Sequence, residues 1–195
     1  MNIKNNISSI TNEICAEMSL LRENPVDYIQ YLRKHLRSFD HPDAIHNNLV
    51  YKRNDNFLIR TVEGKPAVRK AIKVLRNTLP LPPIKPSVSL EKAAFDHQTD
   101  MTNTGIMGHT GSDKSNTKDR IERYCKWIGT IGENIDYGSI NVREIVIHLF
   151  IDDGVKSRGH QKNILNPNFL FAGGVVGYHP VYEYSCVTNF SNGFK

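Results

Sequence analysis

Four short polar clusters in the second half of the chain carry the side chains best suited to chemistry. They are Gly108-His109-Thr110-Gly111-Ser112-Asp113, Ile131-Gly132-Glu133-Asn134-Ile135, Asp152-Asp153-Gly154-Val155 and Arg158-Gly159-His160-Gln161-Lys162-Asn163-Ile164-Leu165-Asn166-Pro167. Neutral imidazole is a good zinc ligand, and carboxylates orient ligands, hold bound water or act as general acids and bases. Each cluster alone says little, because a His or Glu between glycines in a loop is commonly a turn residue bonded to nearby backbone. No HExxH, GxSxG, Walker loop or dinucleotide glycine fingerprint accompanies them. Gly105, Gly108 and Gly111 before Lys114-Ser115 only imitate a phosphate loop. Cys125 has no sequence neighbour that would orient or activate a thiol, so a buried cysteine is the plain reading.

The elements that must position these side chains are read from spacing. Ile10, Ile14, Met18 and Leu21 recur at helical intervals, and Asn24-Pro25 restarts the pattern through Tyr28, Leu32 and Leu36, with Arg22, Arg33 and Lys34 assigned to the solvent side. Leu49-Val50-Tyr51 and Phe57-Leu58-Ile59 flank Asn54-Asp55-Asn56 like a small hairpin. Val68, Ile72, Val74 and Leu75 mark an amphipathic helix over 66–79, which the proline run Leu81-Pro82-Pro83-Ile84-Lys85-Pro86 stops. Ser89 as N-cap and Gly105 as stop bracket a helix with Leu90, Ala93, Ala94, His97 and Met101 on one face, where His97 reads as a core histidine. A short helix is expected over 119–127, and Asn141 with Glu144 opens another that ends at Gly154 and carries His148, also read as core.

Asp152 and Asp153 fall at that helix's C-terminus, where the dipole opposes negative charge by a few tenths of a kcal/mol to about 1 kcal/mol. A site or a local cap is needed to account for them, and only one of the two adjacent side chains can face a cleft, Asp152 being preferred. The segments 173–178 and 181–190, separated by His179-Pro180, have the β-branched and aromatic content of a hairpin. Tyr178, Tyr182 and Tyr184 on it are either cross-strand pairs or the wall of a groove. Helices first and strands last predict an α+β chain, layered α-β-α.

With 195 residues, 39% hydrophobic and 23% charged, the chain suits one globular domain that needs no metal or disulfide staple. Its longest apolar runs fall far short of the roughly 20 residues of a membrane span, and Met1-Asn2-Ile3-Lys4-Asn5-Asn6 opens no secretory leader, so a cytosolic place is the expectation from the sequence as written. Cys15, Cys125 and Cys186 form no CxxC pair. The formal charge of +5 favours anionic surfaces in general, but no nucleic-acid motif is present and no nucleic-acid partner is expected.

Together and in this order, the four clusters resemble the CAP superfamily of cysteine-rich secretory, antigen 5 and pathogenesis-related proteins. Arg158-Gly159-His160-Gln161-Lys162-Asn163-Ile164-Leu165-Asn166-Pro167 is similar to the form of the motif found in microbial members. The resemblance also takes in Asn12-Glu13 through Arg22 as the family's first helix and the proline run leading into Leu90–Met101. It implies a three-layer α-β-α sandwich around a central antiparallel sheet over 8–195, with 38–77 inserted between the first two helices. It also implies that His109, Glu133, Asp152 and His160 line one cleft. The family's disulfides and secretion signal have no counterpart here; since most members are secreted, unconventional export is the alternative to a cytosolic place.

Two imidazoles and two carboxylates brought together would suit a divalent cation, zinc by preference, and acid would weaken such a site because both histidines must be neutral to bind. The resemblance implies binding more often than turnover, with a sterol or other lipid as the expected partner. A metal-dependent hydrolase would instead use Glu133 and Asp152 around an activated water, and an interaction module would use neither. The inserted segment carries Lys52, Arg53, Arg60, Lys65, Arg69, Lys70, Lys73 and Arg76, which read either as a solvated face or as a contact for an anionic membrane surface.

Overall fold

Caps and apolar stripes set the element boundaries in the computed structural model, which describes residues 8–44, 48–53 and 55–195. Met1–Asn6, on which the expectation of no leader rests, and Asn54 of the hairpin turn lie outside the described residues. The elements are α1 (Ser9–Glu23), α2 (Pro25–Ser38), β1 (Val50–Lys52), β2 (Leu58–Arg60), α3 (Lys65–Arg76), β3 (Lys85–Pro86) and α4 (Val88–Thr104), followed by α5 (Thr117–Glu122), β4 (Trp127–Tyr137), α6 (Val142–Ile151), α7 (Gly159–Ile164), β5 (Phe171–His179) and β6 (Glu183–Phe194).

The main sheet runs β3-β5-β6-β4, antiparallel except for the short β3, which pairs parallel with β5 at the edge. Successive side chains of β6 point to opposite faces, and that alternation separates two cores. Cys186 and Phe190 join the cluster built from α1, α2, α3 and α6, whereas Val187 meets Ala94 and Met101 of α4. Three layers result, α-β-α, with β4 at the sheet edge opposite β3. Gly173 is what lets α4 lie so close to β5: a Cβ there would stand 2.1 Å from the backbone nitrogen of Glu91.

The segment between α2 and α4 contributes β1 and β2, an antiparallel hairpin in the register Tyr51↔Ile59, and then α3. Ala67, Val68, Ala71, Ile72 and Leu75 of α3 are buried, while Arg69, Lys70, Lys73 and Arg76 face solvent. These helical cations therefore lie on the wet side of an amphipathic helix.

Several expectations are corrected. The N-cap of α4 is Ser87, whose side chain accepts from the Leu90 amide, two residues before Ser89. The short helix stops at Glu122 behind an Asn116–Asp119 capping box, and Trp127 begins β4. Glu133 consequently sits inside an 11-residue strand and not in a turn. α6 ends at Ile151, because Asp152 adopts the left-handed conformation (φ 56°, ψ 45°). Arg22 is not on the solvent side but fully buried. Its fork donates to the carbonyls of Pro82, Ile164, Asn166 and Phe169 at 2.7–3.2 Å, which ties α1 to the loop after α7. Five donors on one planar group can satisfy several loop carbonyls at once, a demand that helical periodicity does not reveal.

Candidate functional site

The site forms where the two helical layers meet beside edge strand β4. Side chains alternate along β4, so Glu133 shares a face with Ile135, which packs on α4, and Asn134 points to the other face, where its amide donates to the His160 carbonyl at 3.2 Å. Asn163 of α7 donates to Asn134 Oδ1 at 2.8 Å and to the Glu133 carbonyl at 3.3 Å, which locks α7 onto the strand. His109 comes from the loop after α4, and His160 from the first turn of α7. Their ring centroids lie 6.3 Å apart with planes inclined at 44°.

Each imidazole is held by a carboxylate at the same nitrogen. His109 Nδ1 is 2.8 Å from Glu133 Oε1, and His160 Nδ1 is 2.7 Å from Asp152 Oδ1. A carboxylate at Nδ1 places the proton there and leaves the Nε2 lone pair free, the arrangement common behind metal-bound histidine. Neither Nε2 has a partner among the described residues. His109 is half exposed and His160 about one-fifth exposed, whereas both carboxylates are buried.

Glu133 is served on both oxygens. Thr117 Oγ1 donates to Oε1 at 3.0 Å, Arg120 Nη2 reaches Oε1 at 3.1 Å and Oε2 at 2.9 Å, and the Asn189 amide, oriented to accept from the Ala94 N–H, donates to Oε2 at 3.1 Å. Burial pushes the Glu133 carboxyl up, but the hydrogen bond from His109 and the Arg120 guanidinium outweigh it and hold the group below the ordinary 4.5. A depressed folded value means that the stability Glu133 contributes is present above the unfolded value and lost as pH falls through the folded one. Urea midpoints should therefore drop below about pH 4.5, and the Glu133→Gln variant should show a shallower acid slope; an unchanged slope would contradict this linkage.

Asp152 accepts from the backbone amides of His160 at 3.0 Å and Gln161 at 3.4 Å as well as from the imidazole, so one carboxylate caps α7 and orients its histidine. Asp153 turns away and accepts from the amides of Val62, Glu63 and Gly64 at 2.6–2.9 Å. This pair of roles explains the two adjacent aspartates at the end of α6. Arg158, left-handed at φ 52°, donates to the Asp152 carbonyl and to both oxygens of Glu63 at 2.6 Å. The 38–77 segment is thus bonded to the backbone that presents His160.

Beside His160 and Asp152 a cavity of about 620 Å³ runs between the β1–β2 hairpin and the core, lined by Phe39, Tyr51, Val68, Ile135, Leu149 and Tyr182 among others. Sequence reasoning assigned His148 to the core and reached the cavity only through Tyr182, one of three tyrosines read as a possible groove wall; it missed Arg120, which lies on a short helix with no signal beyond its charge. The thiols offer no nucleophile, since burial pushes Cys15 and Cys186 up to about 12 and also raises Cys125, whose Sγ faces the Ile121 carbonyl. His97 is buried with Nε2 2.8 Å from the Gly108 carbonyl, a core position. Among the described residues no group of three or more His, Cys, Asp and Glu side chains is arranged to hold a metal ion, and no helix is long and apolar enough to cross a membrane.

Comparison with known proteins agrees with this architecture. The curated relative YkwD of Bacillus subtilis, an uncharacterised protein, is 33% identical over 98 residues, which cover 50% of this chain and 35% of that protein. The chain thus spans about a third of the length of that relative. An outer surface protein from Borrelia burgdorferi superimposes with a TM-score of 0.51 at 19% identity, over 70% of this chain and 98% of the other. An extracellular SCP-domain protein from Bacillus anthracis matches at a TM-score of 0.48 and 22% identity, over 70% of this chain and 46% of that one. The model of the cysteine-rich secretory protein family, CAP, matches residues 69–190, well over half of the chain and the part that carries all four cleft residues, and the chain belongs to that family.

Proposed function

We propose that this chain is a binding CAP domain whose cleft takes a divalent cation on His109 and His160 and whose neighbouring cavity takes an apolar, lipid-like molecule. The observation that carries the reading is the matched pair of carboxylate-held imidazoles with both Nε2 atoms free. Two nitrogen donors suit zinc, and two protein ligands leave room for water or a ligand group to complete the coordination. Glu133 and Asp152 hold tautomer and ring orientation. When bound, the ion would supply a Lewis-acidic centre to whatever donor group enters the cleft.

The hydrolase alternative asks Glu133 to take a proton from water. His109, Thr117, Arg120 and Asn189 already use both of its oxygens, and a carboxylate offers about four acceptor sites in all. That favours binding over turnover. The apolar walls of the cavity support a sterol or acyl chain as ligand. The Borrelia outer surface relative supports export over a cytosolic place, and cell fractionation decides between them. Calorimetric titration with zinc at neutral pH, beside folded His109→Ala and His160→Ala variants, tests the cation site. Binding lost in both variants supports it, and no binding to the unaltered protein removes it.

A further inference from the structure

The wall of the cavity formed by β4 and α6 carries a buried charge that the cleft does not use. Asp136 has a side chain only 9% exposed, and its Oδ2 has no hydrogen-bond partner. Oδ1 is loosely served by His148 Nδ1 at 3.5 Å, and His148 Nε2 is in turn 3.0 Å from the hydroxyl of Tyr51 on β1. Leaving a buried carboxylate oxygen unpaired costs more than leaving a neutral group so, and a cation on the cavity side would offset the charge. The other acids on the lining are already engaged or exposed. Asp152 serves His160, Asp153 serves three backbone amides, and Glu183 faces solvent. Of the lining basic groups, Arg53 is spent on Asp55 and the Gly138 carbonyl, Arg60 is exposed, and His148 is the partner of Asp136 already named.

The remaining lining is rich in rings: Phe39, Tyr51, Phe57, Tyr137 and Tyr182 all border the cavity. Aromatic faces around a buried carboxylate that only an imidazole at 3.5 Å serves attract an organic cation. An anionic head would meet Asp136 directly, and a neutral hydroxyl would satisfy its hydrogen bond but not its charge. We infer that the cavity binds a protonated amine on an apolar body, the ammonium pairing with the Asp136 carboxylate and the body lying among the rings of the β1–β2 hairpin, of β4 and of Phe39 just past α2. The inference rests on the reading that this cavity takes an apolar-bodied ligand, and adds the head group it selects.

The test is calorimetric titration with n-octylammonium, 1-octanol and octanoate at neutral pH. The protein carries a formal +5 charge, so unspecific attraction works against the cation. n-Octylammonium should bind about tenfold tighter than 1-octanol, octanoate should not bind, and Asp136→Asn should erase the preference while leaving octanol within about twofold. Ile59→Trp, which fills the cavity from the hairpin, should remove amine binding and leave zinc binding intact. Equal affinity for amine and alcohol, or a preference that survives Asp136→Asn, would overturn the inference and spare the apolar-ligand reading. Failure of all three probes to bind would overturn both.

Discussion

Arg120→Met is expected to lower folding stability by about 3–5 kcal/mol, because it removes one member of a fully buried ion pair and leaves the other charged. Arg120 and Glu133 are only 1% and 2% exposed at the side chain and meet at 2.9 Å. The same guanidinium also donates to the carbonyls of His109 at 3.0 Å and Ser115 at 2.9 Å, so the loop that carries His109 loses its anchor with the charge. Urea unfolding should report the loss as a lower midpoint. Adding Glu133→Gln should recover part of it, since removing both charges costs less than stranding one. A loss under about 1 kcal/mol would mean that the pair behaves like a surface contact and that Glu133 is held by other means.

Zinc affinity should divide the four cleft residues into two grades. His109→Ala or His160→Ala removes one of two donor nitrogens and is expected to weaken binding by more than about 100-fold. Glu133→Gln and Asp152→Asn keep the shape but alter the hold on each Nδ1, and changes of that kind typically cost about 10–100-fold. The ordering follows from geometry: both carboxylates lie against Nδ1, with Nε2 on the far side of each ring. If the carboxylate changes proved as severe as the histidine changes, Glu133 and Asp152 would have to reach the ion themselves.

Much of this was legible in the sequence, and the limits have physical causes. His109, Glu133, Asp152 and His160 stood out through their Gly-flanked clusters, and Asn24-Pro25, Asn141 and Gly105 marked helix boundaries that the structure keeps. β4 was not legible as a strand, because Gly129 and Gly132 interrupt its alternation and its inner positions carry the polar Glu133, Asn134 and Asp136, whose surroundings are set by distant parts of the chain. Arg22 looked like a solvent-facing charge and Arg120 drew no reading at all, since nothing local shows that loop carbonyls and a distant carboxylate will surround them. The cavity depends on Tyr51 and His148 meeting across 97 residues of chain, and no spacing rule reports that. Asp152 and Asp153 were the one place where a local conflict, negative charge at a helix C-terminus, pointed to function, and both turned out to be committed to backbone amides, Asp152 at the start of α7 and Asp153 in the loop before α3.

X-ray absorption at the zinc edge, recorded on the protein loaded with one equivalent of zinc, tests the central claim most directly. Two imidazole nitrogens at roughly 2.0–2.1 Å are expected, with oxygen from water or ligand completing the set and no change in the imidazole signal on Glu133→Gln. Zinc surrounded by oxygen alone, or a spectrum that keeps its imidazole signature in the His109→Ala, His160→Ala double variant, would contradict it.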